Sequence, residues 1–399
     1  MSLSIGIDAI ALGVPRGYVQ LTDLAEARGV PPEKYRDGLG VEQMAVAAAD
    51  EDAVALAANA ARRALSVSRT KPADIGLCIV GTETAVDHSK PVAAFLHGLA
   101  GLPPSCRVFE TKHACFGGTA GLLNAIDWIA SGSARGRAAM VICTDIARYQ
   151  LRSAAEPTQG AGAVAMIVRE SPRLLAFDVG RNGSYSRDVH DFWRPLHAKE
   201  GIVDGHFSVD CYLAALEGAY REWLSLQTAK DEAPVRACYH VPYGKMSRKA
   251  HRHRKQIDGL TKEQADASFE SEVGSSLILP NKIGNAYTAS LYLSLASLLH
   301  HEATDIERKR ITLFSYGSGC VAEFFSGRVV EGAAAWAREL RIDEPLNDRT
   351  RLTVEQYERV RGLDTQADPR FPDGQPKPVL NGGRVKFLGV DSGERRVYG

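Results

Sequence analysis

Residues 110–130 read ETKHACFGGTAGLLNAIDWIA, and their pattern decides the fold class. Arg107 to Glu110 reads as a strand that runs into a short polar loop. Beyond Cys115, small residues and then apolar residues at helical spacing predict a helix that begins at the cysteine itself. Strand, polar loop and helix in succession are the unit from which α/β folds are built. Working outward, Asp52 to Ser66 has helical spacing, Ile75 to Val80 reads as a buried strand closed by Gly81, and Ala138 to Thr144 and Gly162 to Val168 read as two more strands. The second half repeats the order: helix from Ser208 to Ser225, strand from Arg236 to His240, helix from Met246 to Ile257. Asn285 then opens a long helix, NAYTASLYLSLASLLHHE, before a strand at Ile311 to Ser315 and an apolar run at Val321 to Phe325. The similar distance from Cys115 and from Asn285 to the next strand hints at duplication.

Composition limits the function classes. The 399 residues are 45% hydrophobic and 24% charged, with 48 basic side chains against 48 acidic ones. Zero net charge argues against bulk attraction to nucleic acid or an anionic membrane, although a local basic patch is compatible with it. No apolar run reaches the ~18 residues of a membrane span, and the start of the chain lacks a signal-peptide pattern. Seven scattered cysteines without a CxxC pair suggest a reduced, cytoplasmic protein whose thiols mostly act as small buried hydrophobes.

Three polar sites fall at strand ends, where α/β folds collect ligands. Glu83 sits in Gly81-Thr82-Glu83-Thr84 directly after a strand; most carboxylates in such loops are merely solvated or cap a helix. Cys115, placed at a helix start, would gain thiolate character from the helix dipole and have unpaired N–H groups beside it. A buried structural thiol is the default for any of the seven, and position alone singles out Cys115. His240 and the Gly317-Ser318-Gly319 turn come from the other half. A Cys and a His from opposite halves are the minimum pair for thiol acyl chemistry. Neither a third glycine after Gly162 or Gly319, nor a P-loop, nor HExxH occurs, and no metal site is expected. The basic run from Lys245 to Lys255 reads as a solvated helix face or an anion-binding patch.

Seven motifs then fall in one order: TETAVD at Glu83, ETKHACFGG at Cys115, EPTQGAGAVAM at 156–166, DFWRP at 191–195, YHVPYGKM at His240, GNAYTASLY at Asn285 and FSYGSG at Ser318. Together they resemble the 3-hydroxy-3-methylglutaryl-CoA (HMG-CoA) synthases over nearly the whole chain up to about residue 330. The resemblance implies a thiolase-like α/β fold of two similar halves in stacked αβαβα layers. Residues 1–170 would carry Glu83 and Cys115, and residues 171–399 would carry His240, Asn285 and Ser318. A loop-rich tail is expected from about 362, with a last strand near 384–390. The resemblance also implies a homodimer.

Carried over position by position, Cys115 matches the nucleophile that takes an acetyl group from a thioester. Glu83 matches the base that deprotonates the acetyl methyl, and His240 the residue that hydrogen-bonds the ketone of the acetoacetyl substrate. Asn285, Ser318, Tyr149 and Asp191 match supporting positions. Thr158, Ser208, Lys245 and Lys249 match the region that holds pantetheine and phosphates. The implied reaction joins acetyl-CoA and acetoacetyl-CoA, with thioesters as substrates and no metal or other cofactor. A glutamate base disfavours the chain-elongating synthases, which decarboxylate their donor. Two segments, Tyr239 to Gly244 and Gly319 to Gly327, look like the branch that performs β-branching on polyketides with acyl carrier proteins. GLGVEQMAV at 38–46 looks like the primary-metabolic enzymes, and 145–166 lacks an insertion that some β-branching enzymes carry. A cysteine hydrolase using Cys115 and His240, and a carrier-binding homologue without turnover, are the rivals from other classes.

Overall fold

In the computed structural model, which describes residues 4–364, 366–375 and 383–399, ten strands form one hydrogen-bonded path. They are β1 (Ile5–Gly13), β2 (Ile75–Gly81), β3 (Arg107–Thr111), β4 (Ala138–Ile146), β5 (Ala161–Glu170), β6 (Leu175–Phe177), β7 (Gly183–Ser186), β8 (Arg236–Tyr239), β9 (Arg310–Gly317) and β10 (Val321–Val329). The spatial order is β8-β9-β10-β6-β1-β5-β4-β2-β3, with β7 beside β10. Pairs β2/β3, β2/β4 and β8/β9 are parallel, as crossover helices require; β4/β5, β1/β5 and β9/β10 are antiparallel. Short β6 pairs with both β1 and β10 and so joins the two halves.

Layering follows from which faces are apolar. Helix α1 (Ala53–Ser68) covers one face of the first half's sheet, packing on β1, β4 and β5 through a side rich in alanine. Helix α2 (Gly117–Ala130) lies against β2 and β4. Helix α3 (Gly205–Ser225) covers β7 and β10 of the other half, and α4 (Gly244–Ile257) packs beside it. Helix α5 (Ser290–Ile306) packs on β8 and β9. Its first ten residues are all buried, so it is an interior helix rather than an amphipathic surface one. Helices α2 and α5 meet where Thr119 Oγ1 and Tyr292 Oη lie 2.8 Å apart, and Thr119 also donates to Ser315 Oγ of β9 at 2.7 Å.

Strand β1 is buried throughout although Asp8 interrupts it. Arg173 resolves the conflict: its Nε donates to Asp8 Oδ1 at 2.8 Å, and its guanidinium lies 3.7 Å over the Trp336 ring. A buried carboxylate is tolerated only when it is paired in this way.

Two expected helix starts are corrected. α2 begins at Gly117, after Phe116 as cap, so Cys115 lies in the loop before it. Ala114, at φ +41°, turns the chain through the left-handed region there, which interrupts helical geometry. Likewise Asn285 does not open α5. Its Oδ1 accepts from Tyr287 N and Ser290 Oγ, both at 2.9 Å, and Tyr287 sits at φ +43°. That side-chain turn competes with helix, and the regular α-helix starts only at Ser290. The expected last strand runs from Phe387 to Val390 and pairs with Arg396–Tyr398. Of the expected tail loop at 362–383, residues 365 and 376–382 lie outside the described residues.

Candidate active site

Glycines at the ends of β2 and β9 let the halves approach around Cys115. A Cβ on Gly81 would stand 2.4 Å from the Gly118 nitrogen, and one on Gly317 would stand 2.5 Å from the His113 carbonyl. Only a residue without a side chain permits these backbone contacts. The result is a cavity of about 400 Å³ with Cys115, Tyr149, Thr158, Ser208, His240, Asn285 and Ser318 in its wall. Seven of the eleven site residues expected from sequence thus share one space.

Glu83 faces Cys115 from the end of β2. The thiol donates to Glu83 Oε1 at 3.6 Å, and the Glu83 side chain is only 6% exposed. Burial pushes the Glu83 carboxyl up, and nearby Asp145 adds to the rise. Burial also pushes the Cys115 thiol up, reinforced by Glu83 and Asp145. This reverses the thiolate expected from the helix dipole: the cysteine precedes the helix and faces carboxylates. At rest the thiol is neutral and faces a Glu83 carboxyl pushed up to about 8, which becomes a base only as the pH approaches that value.

Asp145 is the hub behind this pair. Its Oδ1 accepts from Thr82 Oγ1 at 3.0 Å, Glu83 N at 2.9 Å and Thr84 Oγ1 at 2.7 Å. Its Oδ2 accepts from Thr288 N at 3.0 Å and Thr288 Oγ1 at 2.5 Å. One buried carboxylate thereby fixes the loop carrying Glu83 to the segment that follows Asn285.

His240 follows directly after β8, buried, with its N–H donating to the Phe314 carbonyl at 2.8 Å and its carbonyl accepting from Tyr212 Oη at 2.9 Å. No described residue hydrogen-bonds its imidazole. Burial lowers the imidazole pKa to about 3, so the ring is neutral near pH 7 and offers a hydrogen bond without a charge. Asp191 stands behind the cavity wall: Oδ2 accepts from Tyr316 Oη at 2.7 Å and from Ser208 Oγ at 3.4 Å, and Oδ1 accepts from Gly319 N at 3.0 Å. Asp191 therefore orients the turn that carries Ser318, while Ser208 turns its hydroxyl to Asp191. Tyr149 completes an aromatic wall with Phe192 and Tyr287, at ring separations of 6.3 and 5.8 Å.

Lys245 and Lys249 lie outside the cavity wall on α4, whose Met246 reaches it. The basic run is largely neutralised within the fold. Arg252 pairs with Asp266, Arg254 and Lys255 with Glu272, and His253 with Glu217. Arg248 lies 4.1 Å over the Phe269 ring. Among the described residues no acidic group pairs with Lys245 or Lys249.

Several residues at the site escaped the sequence reading: Asp145, Tyr287, Phe192, Tyr316 and Arg194. Of these, Phe192 and Arg194 were in plain view inside DFWRP, and Tyr316 inside FSYGSG. Among the described residues no three His, Cys, Asp or Glu side chains cluster as a metal site. No helix among them is long and apolar enough to cross a membrane.

Comparison with known proteins identifies the family. Residues 2–172 match the hydroxymethylglutaryl-coenzyme A synthase N-terminal family model, and 175–264 with 251–398 match its C-terminal counterpart. The chain is 40% identical over 377 residues to the Enterococcus faecalis hydroxymethylglutaryl-CoA synthase, covering 93% of this chain and 95% of that protein. Its fold superposes with a TM-score of 0.92 and 47% identity on MvaS solved with 3-hydroxy-3-methylglutaryl coenzyme A, covering 100% and 99% of the two chains. The curacin pathway HMG synthase, solved with holo donor-ACP, gives 0.90 and 32% with 99% coverage of both. These matches span nearly the whole chain, and the chain belongs to the hydroxymethylglutaryl-CoA synthase family.

Proposed function

We propose that the protein condenses an acetyl group with acetoacetyl-CoA to give 3-hydroxy-3-methylglutaryl-CoA. The observation that carries this reading is the Cys115 thiol donating to Glu83 Oε1 at 3.6 Å beside a cavity that also holds His240, Asn285 and Ser318. Glu83 takes the thiol proton as sulfur attacks the carbonyl of acetyl-CoA; CoA thiolate leaves and is protonated. Once ionised again, Glu83 removes a proton from the methyl of acetyl-Cys115. The resulting carbanion equivalent adds to the ketone of acetoacetyl-CoA, and the neutral His240 imidazole hydrogen-bonds the ketone oxygen as charge builds on it. Among the described residues no acceptor takes a hydrogen bond from the Asn285 amide nitrogen, which leaves it available to an acyl oxygen. Water then cleaves the thioester at Cys115. The Glu83 carboxyl returns the methyl proton to the new alkoxide, directly or through water, and the cleaving water supplies hydroxyl to the acyl group and a proton to Cys115, so we propose that no metal or other cofactor takes part.

CoA is the carrier we favour over an acyl carrier protein. MvaS, at 47% identity, was solved with a CoA thioester, whereas the curacin enzyme, at 32%, was solved with donor-ACP. Lys245 and Lys249, free of acidic partners, suit the CoA phosphates. The reversal Lys245→Glu with Lys249→Glu is expected to raise KM for acetyl-CoA about tenfold, equivalent to ~1.4 kcal/mol, with kcat retained. Initial rates at varied acetyl-CoA check this. Cys115 acetylation that clearly prefers acetyl-carrier protein over acetyl-CoA would instead establish the β-branching reaction.

We further propose a cytoplasmic homodimer of chains whose halves meet near residue 170. All seven cysteines are free, which fits a reducing compartment. Strand β3 ends the sheet with its outer edge unpaired, and Val108 and Phe109 are only half-buried there. Exposed edges of this kind invite pairing with a second copy. Light scattering is expected to give a mass twice that of the chain, and a monomer would refute the proposal.

A further inference from the structure

We propose that Arg194 is a positioning residue for the base: its guanidinium favours the ionised form of Glu83 and orients one carboxylate oxygen toward the reacting carbon. The inference rests on the condensation reading above and concerns a residue to which that reading gave no part.

The geometry divides the two oxygens of Glu83. Oε1 faces the Cys115 thiol at 3.6 Å, and Oε2 faces Arg194 Nη2 at 3.4 Å. The same Nη2 donates to the Glu83 main-chain carbonyl, so the guanidinium grips the residue at both ends. Glu83 N is already tied to Asp145 Oδ1 at 2.9 Å. With backbone and Oε2 both held, Oε1 is the oxygen left to exchange protons, first with sulfur and then with the acetyl methyl on it.

Charge balance demands a cation at this place. The groups facing Glu83 are Asp145 from β4, Cys115 from the loop before α2, Tyr149 and Tyr287 from the aromatic wall, and Arg194. Asp145 repels a charge on Glu83, and the thiol and phenols bring none of opposite sign. Arg194 is the one cation that pairs with Glu83 among the described residues. Its side chain is itself only 16% exposed, so the attraction is weakly screened. Without it the carboxyl, already raised by burial and by Asp145, would keep its proton to still higher pH and serve less well as a base.

Arg194 also has a distinctive origin. It leaves the two-residue strand Phe192–Trp193, which pairs with Ile202–Val203 in a surface hairpin. Phe192 and Val203 line the cavity, and Asp191 holds the Ser318 turn. Four consecutive residues thus include one group that sets the turn, one that walls the cavity and one that sets the base.

The test uses full-length enzyme, first acetylated with acetyl-CoA and then mixed rapidly with acetoacetyl-CoA across a range of pH. Glu83 must be ionised, so the condensation rate rises with pH along an acid limb. In Arg194→Gln and in Arg194→Met the lost attraction raises the Glu83 pKa, and the limb is expected to move up by about one pH unit. Below the limb the rate falls about tenfold, and alkaline pH restores it. Arg194→Lys keeps the charge and holds the limb near its wild-type position. Two neutral variants protect the test against a folding defect in either. An unmoved limb in a neutral variant, with or without a uniform loss of rate, overturns the role of Arg194. Wild-type enzyme that acetylates but forms no carbon–carbon bond overturns the condensation reading itself, and is recognisable without any Arg194 variant.

Discussion

Cys115→Ser is expected to form no acetyl-enzyme detectable by intact-protein mass spectrometry after incubation with acetyl-CoA. Overall turnover should fall by at least about a thousandfold, because covalent attachment is the step on which the later ones depend. The argument is one of matched acidities. Glu83 is a carboxylate, and even raised by burial and by Asp145 it is a far weaker base than a serine alkoxide would be. A thiol is a much stronger acid than a hydroxyl, and its anion is intrinsically nucleophilic. Burial raises both Cys115 and Glu83, so proton transfer from Sγ to Oε1 moves charge between neighbouring sites in one low-dielectric space. With oxygen in place of sulfur that near balance is lost.

The same experiment separates Cys115 from the other thiols. Cys78, Cys106, Cys143, Cys211, Cys238 and Cys320 are all buried, whereas Cys115 is only partly so and borders the cavity. Peptide mapping of the wild-type enzyme should place the acetyl group at residue 115 alone. Acetyl on another cysteine in the serine variant would refute the assignment.

Much of this site was legible because strand ends and glycines mark it. Cys115 after β3, Glu83 after β2 and His240 after β8 each follow a short apolar run, and the layered fold brings those ends together. What stayed hidden depends on contacts between distant segments. Arg194 meets Glu83 across 111 positions only because the hairpin of Phe192–Trp193 folds over the cavity. The run from Lys245 to Lys255 was visible as basic, yet its local pattern cannot tell which cations are spoken for by Asp266, Glu272 and Glu217. The helix starts were misread for a local reason. Periodicity sees apolar spacing, whereas the positive φ at Ala114 and the side-chain turn at Asn285 are backbone and side-chain features that apolar spacing does not report. Asp145 reads as the end of an apolar strand, and its five hydrogen bonds come from loops 82–84 and from Thr288.

Glu83→Ala is expected to uncouple the two halves of the reaction, leaving acetylation within about tenfold of wild type while condensation falls about 10³- to 10⁴-fold, toward the upper end of a general base's usual contribution. Removing Glu83 acts on Cys115 in two opposed ways. It takes away the oxygen that receives the thiol proton, and it takes away a negative charge that holds the thiol pKa up. The second effect makes the thiolate easier to form, so solvent can replace the base at modest loss. No such compensation exists for the acetyl methyl. Its C–H proton is far less acidic than a thiol, and water is too weak a base to remove it at a comparable rate. His240, neutral with a pKa lowered to about 3, polarises the partner ketone but is too weak a base to take over. With labelled acetyl-CoA, the variant should therefore accumulate label on Cys115 and release it slowly as acetate, without the six-carbon acyl product. Condensation at wild-type rate in Glu83→Ala would assign the base elsewhere. A variant that cannot be acetylated at all would mean that Glu83 serves the thiol more than the methyl carbon.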